Sequence, residues 1–311
     1  MQKGGFRLDT SFQYHKLSRL VYGDDYVSFS ELSARSPKAA EHGDAEFQLI
    51  QTDITLRYAL ADLTEISLFT PYKWVTLRVD EDDEHHRDET FDGVGDLRLG
   101  LRHYVAFEPS YQISIFAGLS VPTGRLNKVT AASYLGHEEA HDLGVIVPKH
   151  SHLQLGTGTF DPTLGINVLV RLDDHWMLFG NISATFPLYE NRYDYQTAPS
   201  ATFTFGPALK LEQEPIILGF YTEVFWSGRD KFDGDDIVGP DGVFDGSFGV
   251  PNTGRFEIAL RPALTWGIRE DLTLTVYARF PVYTRIRESS DKSDVQLAEE
   301  YGLFIGFSYN F

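Results

Sequence analysis

The chain has 311 residues, 14% of them aromatic (23 Phe and 16 Tyr among them), with 2 Met, no Cys and a formal net charge of −18. No apolar run approaches the roughly 18–20 residues of a spanning helix; Pro215–Phe220 is among the longest uncharged apolar stretches. Helical membrane spans and a disulfide framework are thereby excluded, and so is a basic nucleic-acid-binding surface, because affinity for phosphates is electrostatic.

What the chain does contain is alternation with a period of two, the mark of strands with one apolar and one polar face. The first segment, Phe6–Tyr14, sets Phe6, Leu8, Phe12 and Tyr14 against Arg7, Asp9, Ser11 and Gln13. Leu49–Tyr58 and Ile66–Leu77 follow, and then Leu97, Leu99 and Leu101 interleave with Asp96, Arg98, Gly100 and Arg102. The remaining segments are Tyr111–Val121, Pro162–Leu172, Trp176–Leu188, Ala201–Leu211, Ile217–Trp226, Phe256–Trp266, Leu272–Tyr283 and Glu300–Phe311. That makes twelve, each near the 9–11 residues that a tilted strand needs to cross hydrocarbon.

The connections alternate as well. Long links run over Lys16–Phe47, Arg78–Gly95, Pro122–Asp161, Tyr189–Ser200, Ser227–Arg255 and Thr284–Glu299. Short ones run over Ala59–Glu65, Val105–Ser110, Asp173–His175, Glu212–Ile216 and Gly267–Asp271. A soluble sandwich has no reason to sort its loops by length; membrane barrels pair short periplasmic turns with long extracellular loops. Trp176 and Trp266 flank short turns while Trp74 and Trp226 fall near the other rim, as two interfacial girdles require. The expected fold is all-β: a single transmembrane antiparallel barrel of about twelve strands occupying 1–311, without a plug domain. No signal peptide is visible in Met1–Gly5, as expected if an export signal has been removed.

The last segment alternates Leu303, Ile305, Phe307, Tyr309 and Phe311 with smaller or polar residues. It resembles the terminal strand of bacterial outer-membrane barrels, in which the final aromatic is an assembly signal; the resemblance gives that role to Tyr309 and Phe311. Four further stretches, Phe91–Gly100, Leu119–Arg125, Leu153–Pro162 and Asn191–Gln196, resemble motifs of a transporter-like outer-membrane family labelled for meta-pathway phenol degradation. That resemblance covers roughly residues 90–311 and implies uptake of small molecules across a bacterial outer membrane. The glycines of Gly156-Thr-Gly-Thr159 would permit a bend where a strand enters the barrel.

Parity places nine cations in the lumen: Arg7, Arg57, Lys73, Arg98, Arg102, Arg171, Lys210, Arg261 and Arg279. Five carboxylates face them: Asp9, Asp53, Asp96, Glu223 and Glu257. Buried charge is costly unless paired or wet, so two readings stand: a bracing ladder of ion pairs, or a watery passage whose arginine surplus favours anionic or polar solutes. Inward Gly100, Ser114, Gly118, Gly165, Ser183, Gly219, Gly302 and Gly306 leave space for such a passage.

The links carry the opposite sign. Asp80–Glu84 with Asp88, Glu89 and Asp92, and then Asp230, Asp233, Asp235, Asp236, Asp241 and Asp245, invite divalent cations bridging to lipopolysaccharide phosphates. A solvated acidic loop is the plainer alternative. Phe232–Asp236 lacks the ligand spacing and the terminal Glu of an EF-hand. His137-Glu-Glu-Ala-His141 fits H-E-x-x-H, and on a helix both imidazoles would share a face and bind zinc. The third protease ligand would fall at Val147, so His137 and His141, with His150 and His152, amount at most to a loop metal site. A G-x-S-x-G elbow and a P-loop are absent, and no enzyme is expected.

The expected function is therefore a channel or transporter for small solutes. The alternative is a structural or docking barrel closed by its own charges or by a partner subunit. Its partners would be lipid, lipopolysaccharide and the barrel assembly machinery; no cofactor other than divalent ions is expected.

Overall fold

The structure, a computed structural model, describes residues 3–35, 45–79, 89–126, 154–192, 195–212, 214–232, 237–239, 242–244, 253–286 and 295–311. Twelve antiparallel strands form the wall. They are β1 (Phe6–Tyr22), β2 (Ala45–Ala61), β3 (Thr64–Val79), β4 (Leu97–Phe107), β5 (Tyr111–Val121) and β6 (Pro162–Arg171). Then follow β7 (Trp176–Thr185), β8 (Ser200–Lys210), β9 (Ile216–Ser227), β10 (Arg255–Arg269), β11 (Leu272–Ile286) and β12 (Val295–Asn310). Each strand pairs with its neighbours in sequence, and β12 closes on β1 with Leu8 opposite Tyr309 and Phe12 opposite Ile305. Closure removes both sheet edges, so every backbone donor in the wall can be met by a neighbouring strand, as hydrocarbon demands.

The sidedness is the reverse of a soluble protein's. Phe12, Ile54, Leu99, Ile115, Leu164, Phe220, Phe280 and Ile305 lie exposed on the outer face, whereas Asp53, Asp96, Glu257, Arg279 and Glu299 are buried. An apolar surface of this extent identifies the outside as the lipid side. No helix among the described residues is long and apolar enough to cross a membrane, and the strands do the crossing.

All twelve sequence segments are strands, but half of them run longer than the alternation indicates. β1 continues to Tyr22 past shifts in register at Lys16/Leu17 and Leu17/Arg19, and β2 begins at Ala45. The first long link is correspondingly shorter than expected, and holds a small strand (Asp25–Val27) paired with β1 and a helix (Phe29–Arg35). Ser28 and Glu31 form a capping box there: the Ser28 N–H donates to the Glu31 carboxylate (2.8 Å) and the Glu31 N–H to the Ser28 hydroxyl (3.3 Å). β3, β11 and β12 are likewise extended. These extensions lack the apolar face that strict alternation detects, because they project beyond the apolar band. At about 3.3 Å per residue and a tilt of roughly 40°, a 10-residue strand rises about 25 Å, the height of that band, and a 17-residue strand about 40 Å.

Candidate functional site

The lumen is where the polar faces of the strands converge, and its charges form two connected networks. Near the short-turn end, Arg7 and Arg57 both hold Asp9 (2.6 Å each), and Ser308 completes the carboxylate's shell (2.6 Å). Arg57 reaches on to Glu65 (3.1 Å), which also faces Arg102 at 3.7 Å. Higher in the lumen, Glu223 binds both Arg261 (2.5 Å) and Arg279 (2.7 Å), and Arg279 also pairs with Glu257 and Glu299. Glu299 continues to His15 (3.0 Å) and His15 to Gln13 (3.4 Å). Gln13 donates to Asp53 (2.5 Å), which Gln51 (2.7 Å) and Ser11 (3.2 Å) also hold. Buried carboxylates of this kind are tolerable only with charge-assisted partners on each side.

The arginine surplus expected from parity is not what the lumen contains. Arg171 and Lys210 sit exposed at the short-turn ends of β6 and β8. Glu65 and Glu299, which the sequence reading left in links, point inward and join the ladders. With Glu65 and Glu299 added, the ladders join Arg7, Arg57, Arg102, Arg261 and Arg279 to Asp9, Glu65, Glu223, Glu257 and Glu299, while Asp53 is held by Gln13, Gln51 and Ser11. Glu65 and Glu299 escaped detection because each lies at a strand end, beyond the alternating run. Arg98 stays exposed, with its guanidinium over the Phe69 ring at 5.3 Å.

The luminal glycines do not all leave empty space. Phe116 lies over Gly165, Tyr221 over Gly219 and Phe304 over Gly306, so that rings occupy the room a larger residue would need. What remains open is a cavity of about 530 Å3 between the ladders. Tyr277 stacks on Phe304 (4.4 Å between centroids) and carries Arg261 on its ring at 4.1 Å. Phe179 and Tyr221 meet edge to face at 5.5 Å, and Asn181 and Thr204 add neutral polar groups.

At the long-link end, residues 154–161 fold against the inner wall as a strap. Leu155, 3% exposed, packs on Val75 and Phe91 beside Phe47 and Leu49, all on the luminal face. Lys73 donates to the Leu155 carbonyl (3.0 Å). Asp96 accepts the backbone N–H groups of Gly124 (2.8 Å) and Thr157 (2.6 Å). Gly156 passes so close to Asp96 that a Cβ would collide with the carboxyl group, and Gly158 takes φ +76° to turn the chain. Lys73 and Asp96, expected to line the solute path, thus anchor this strap. Next to it Asp230, half-buried, accepts from the Tyr195 hydroxyl and from the Ala198 N–H (2.7 Å). Burial pushes its carboxyl pKa up, and those two hydrogen bonds only partly offset the effect.

The remaining expectations fall elsewhere. Tyr309 and Phe311 stack at 5.8 Å where β12 meets β1, and Phe311 also stacks on Phe6 at 5.7 Å. His137, His141, His150 and His152, and the acidic runs Asp80–Glu84 and Asp233–Asp236, lie outside the described residues. No group of three metal-ligating side chains occurs among the described residues.

No family model and no curated protein matches the sequence. Among solved structures the chain is similar to an outer membrane channel from Pseudomonas putida F1, at TM-score 0.67 and 13% identity, covering 100% of this chain and 97% of that one. It is also similar to the beta domain of the Bordetella autotransporter Brka (TM-score 0.49, 8% identity, 99% and 100% covered). A third likeness is to the NanC porin (TM-score 0.48, 6% identity, 97% and 98% covered); these last two are too loose to bear on topology. At 13% identity the first likeness speaks for the fold. The chain is a closed twelve-stranded antiparallel barrel of the outer-membrane kind.

Proposed function

We propose that the protein is a bacterial outer-membrane channel that passes small solutes by passive or facilitated diffusion. The observation that carries this reading is the cavity of about 530 Å3, lined by polar side chains and aromatic rings, inside a wall whose outer face is apolar. A barrel that served only as a scaffold would gain stability by filling that space with packed side chains. The resemblance to the meta-pathway phenol-degradation family rests on its motifs alone and supports uptake of small molecules, without fixing which.

The charge balance changes the selectivity expected of such a channel. Luminal arginines that are largely engaged by carboxylates cannot give the passage a strong preference for anions, whereas the links hold most of the chain's excess negative charge. Weak ion selectivity, leaning towards cations through the acidic rim, is therefore expected. In the membrane the short turns face the periplasm, lipid and lipopolysaccharide surround the wall, divalent ions bridge the acidic links to phosphates, and the assembly machinery reads the terminal strand with Tyr309 and Phe311. The role is transport, without catalysis.

Single-channel recording of purified protein in planar bilayers tests this. Discrete current steps, with reversal potentials in a KCl gradient near zero or on the cation side, support it. Silence in both bilayers and solute-loaded liposomes would favour a second reading, a closed docking barrel, which the Arg279 cluster and the strap otherwise support.

A further inference from the structure

We infer that the cavity binds a small zwitterion whose ammonium and carboxylate are separated by a short apolar linker. The ammonium lies at Asp53, the carboxylate at Arg98 and the linker on the Phe69 ring. The inference rests on the channel reading above and names its substrate class.

The first ground is what remains once the luminal charges have paired. Of those described above, the ladders take Arg7, Arg57, Arg102, Arg261 and Arg279 with Asp9, Glu65, Glu223, Glu257 and Glu299. The strap takes Lys73 and Asp96. Asp53 and Arg98 are left, one of each sign. Arg261 keeps a buried Nε with no hydrogen-bond partner, but its guanidinium is already paired with Glu223 and lies on the Tyr277 ring. It is no counter-charge for a solute.

The second ground is the state of those two residues. Asp53 borders the cavity, and its carboxylate is held by Ser11, Gln13 and Gln51, all neutral donors. Such donors solvate a buried charge without neutralising it, so an arriving ammonium meets an uncompensated carboxylate. Lys73 acts on Asp53 through space but forms no salt bridge with it, and donates to the Leu155 carbonyl instead (3.0 Å). Arg98 is exposed in the lumen, its guanidinium over Phe69 and without a carboxylate partner among the described residues. A guanidinium stacked on a ring keeps its edge N–H groups free to donate to a carboxylate.

The third ground is placement. Asp53 on β2, Phe69 on β3 and Arg98 on β4 follow one another across the wall: Phe69 stands directly opposite Arg98, and Asp53 pairs with Pro71, one diagonal step from Phe69. Opposite side chains start about 5 Å apart and diagonal ones about 7–8 Å. The two charges therefore flank an apolar ring that lines the cavity, spaced for a small molecule and not for a salt bridge. A simple ion of either sign would be attracted by one of them and repelled by the other, whereas a zwitterion satisfies both. A volume of about 530 Å3 falls within the range of small-molecule sites.

The test uses the full-length protein in planar bilayers at neutral pH, with the KCl current as readout. The blockers are γ-aminobutyrate, sodium butyrate and butylammonium chloride, which share one carbon skeleton and differ in charge. The zwitterion is expected to interrupt the current at the lowest half-blocking concentration of the three. Arg98→Gln should raise that concentration roughly 10-fold and bring it level with butylammonium; Asp53→Asn should raise it as much and bring it level with butyrate. Heat-modifiable gel mobility reports the folded barrel, and Arg98, exposed and unpaired, carries the test by itself if Asp53→Asn does not fold. Equal or tighter block by butyrate or butylammonium, or unaltered block by γ-aminobutyrate in either folded variant, overturns the inference and leaves the channel standing. The absence of any current, together with no swelling of liposomes in any of the three solutes, overturns the channel itself.

Discussion

Strands β10–β12 and β1–β3 form one half of the wall, 15–17 residues tall, and β4–β9 the other, 10–12 residues tall. The tall half carries nearly all the luminal ion pairs, including the Arg279 cluster apart from Glu223 and the Arg7–Asp9–Arg57–Glu65 ladder. The short half is largely neutral inside: Asn181 donates to Asn167 (2.7 Å), Thr163 meets Thr185 (3.0 Å), and Phe116 covers Gly165. In the Arg279 cluster, height and charge go together for a physical reason. Glu299 of that cluster lies in the projecting part of this wall, where lipid gives no burial and a directional ion pair can hold register instead; the Arg7–Asp9–Arg57–Glu65 ladder lies at the opposite, short-turn end. The short half matches the apolar band and needs only close packing and neutral hydrogen bonds.

The largest effect should come from removing the hub of the tall half. Arg279→Met takes the arginine from buried Glu257 and Glu299, leaving Glu223 to Arg261 and Glu299 to His15, and should cost about 3–5 kcal/mol. Urea unfolding in liposomes would measure this, with Asn167→Ala on the short half as the comparison at about 1 kcal/mol. Equal losses would erase the distinction between the halves.

The strap spans the two halves, from Lys73 on β3 to Asn191 beyond β7, whose side chain donates to the Thr157 carbonyl (3.0 Å). Leu155→Ala removes its apolar anchor and should weaken docking by about 2–4 kcal/mol. The expected readout is faster protease cleavage within 154–161 and a larger single-channel conductance, with the barrel's unfolding transition little changed.

On the short half, Gly165→Ala forces a methyl group against the Phe116 ring and to 2.8 Å from the Ile182 carbonyl oxygen. Overpacking of this sort costs about 1–3 kcal/mol and should be relieved in part by Phe116→Leu. Gly180→Ala, with nothing within 4 Å of the new Cβ, should be nearly silent in the same unfolding assay.

The smallest effect concerns the rim beside the strap. The carboxyl of Asp230 has its pKa raised in the folded protein, so the folded state holds its proton more firmly than the unfolded one. Its contribution to rim stability is complete below the ordinary carboxylate pKa of about 4 and is lost as pH rises through the higher folded value. Proteolysis next to Gly228 should therefore quicken as pH rises above 4, and Asp230→Asn should flatten that dependence. A slope of the opposite sign would mean that Tyr195 and Ala198 outweigh burial.

The sequence by itself determined the number of strands, their inward and outward faces and the sorting of the links. Alternation such as that of Leu97–Arg102 is a direct copy of lipid on one side and polar space on the other, and it is legible wherever the membrane imposes it. It also placed Arg7, Asp9, Arg57, Glu223, Arg261 and Arg279 on the luminal face. Only the tertiary structure decided what those residues do there. Glu65 and Glu299 entered the lumen from positions just outside the alternating runs, and Gly165 turned out to be roofed by Phe116 from the neighbouring strand, while Tyr221 and Phe304 fold back over Gly219 and Gly306 of their own strands. Leu155, Lys73 and Asp96 came together across about 60–80 residues of sequence. Parity is a local property of a strand, fixed by its own pleat. Ion pairing, the packing of Phe116 over Gly165 and the docking of the strap depend on which strands are neighbours and in what register, which is settled only when the barrel closes.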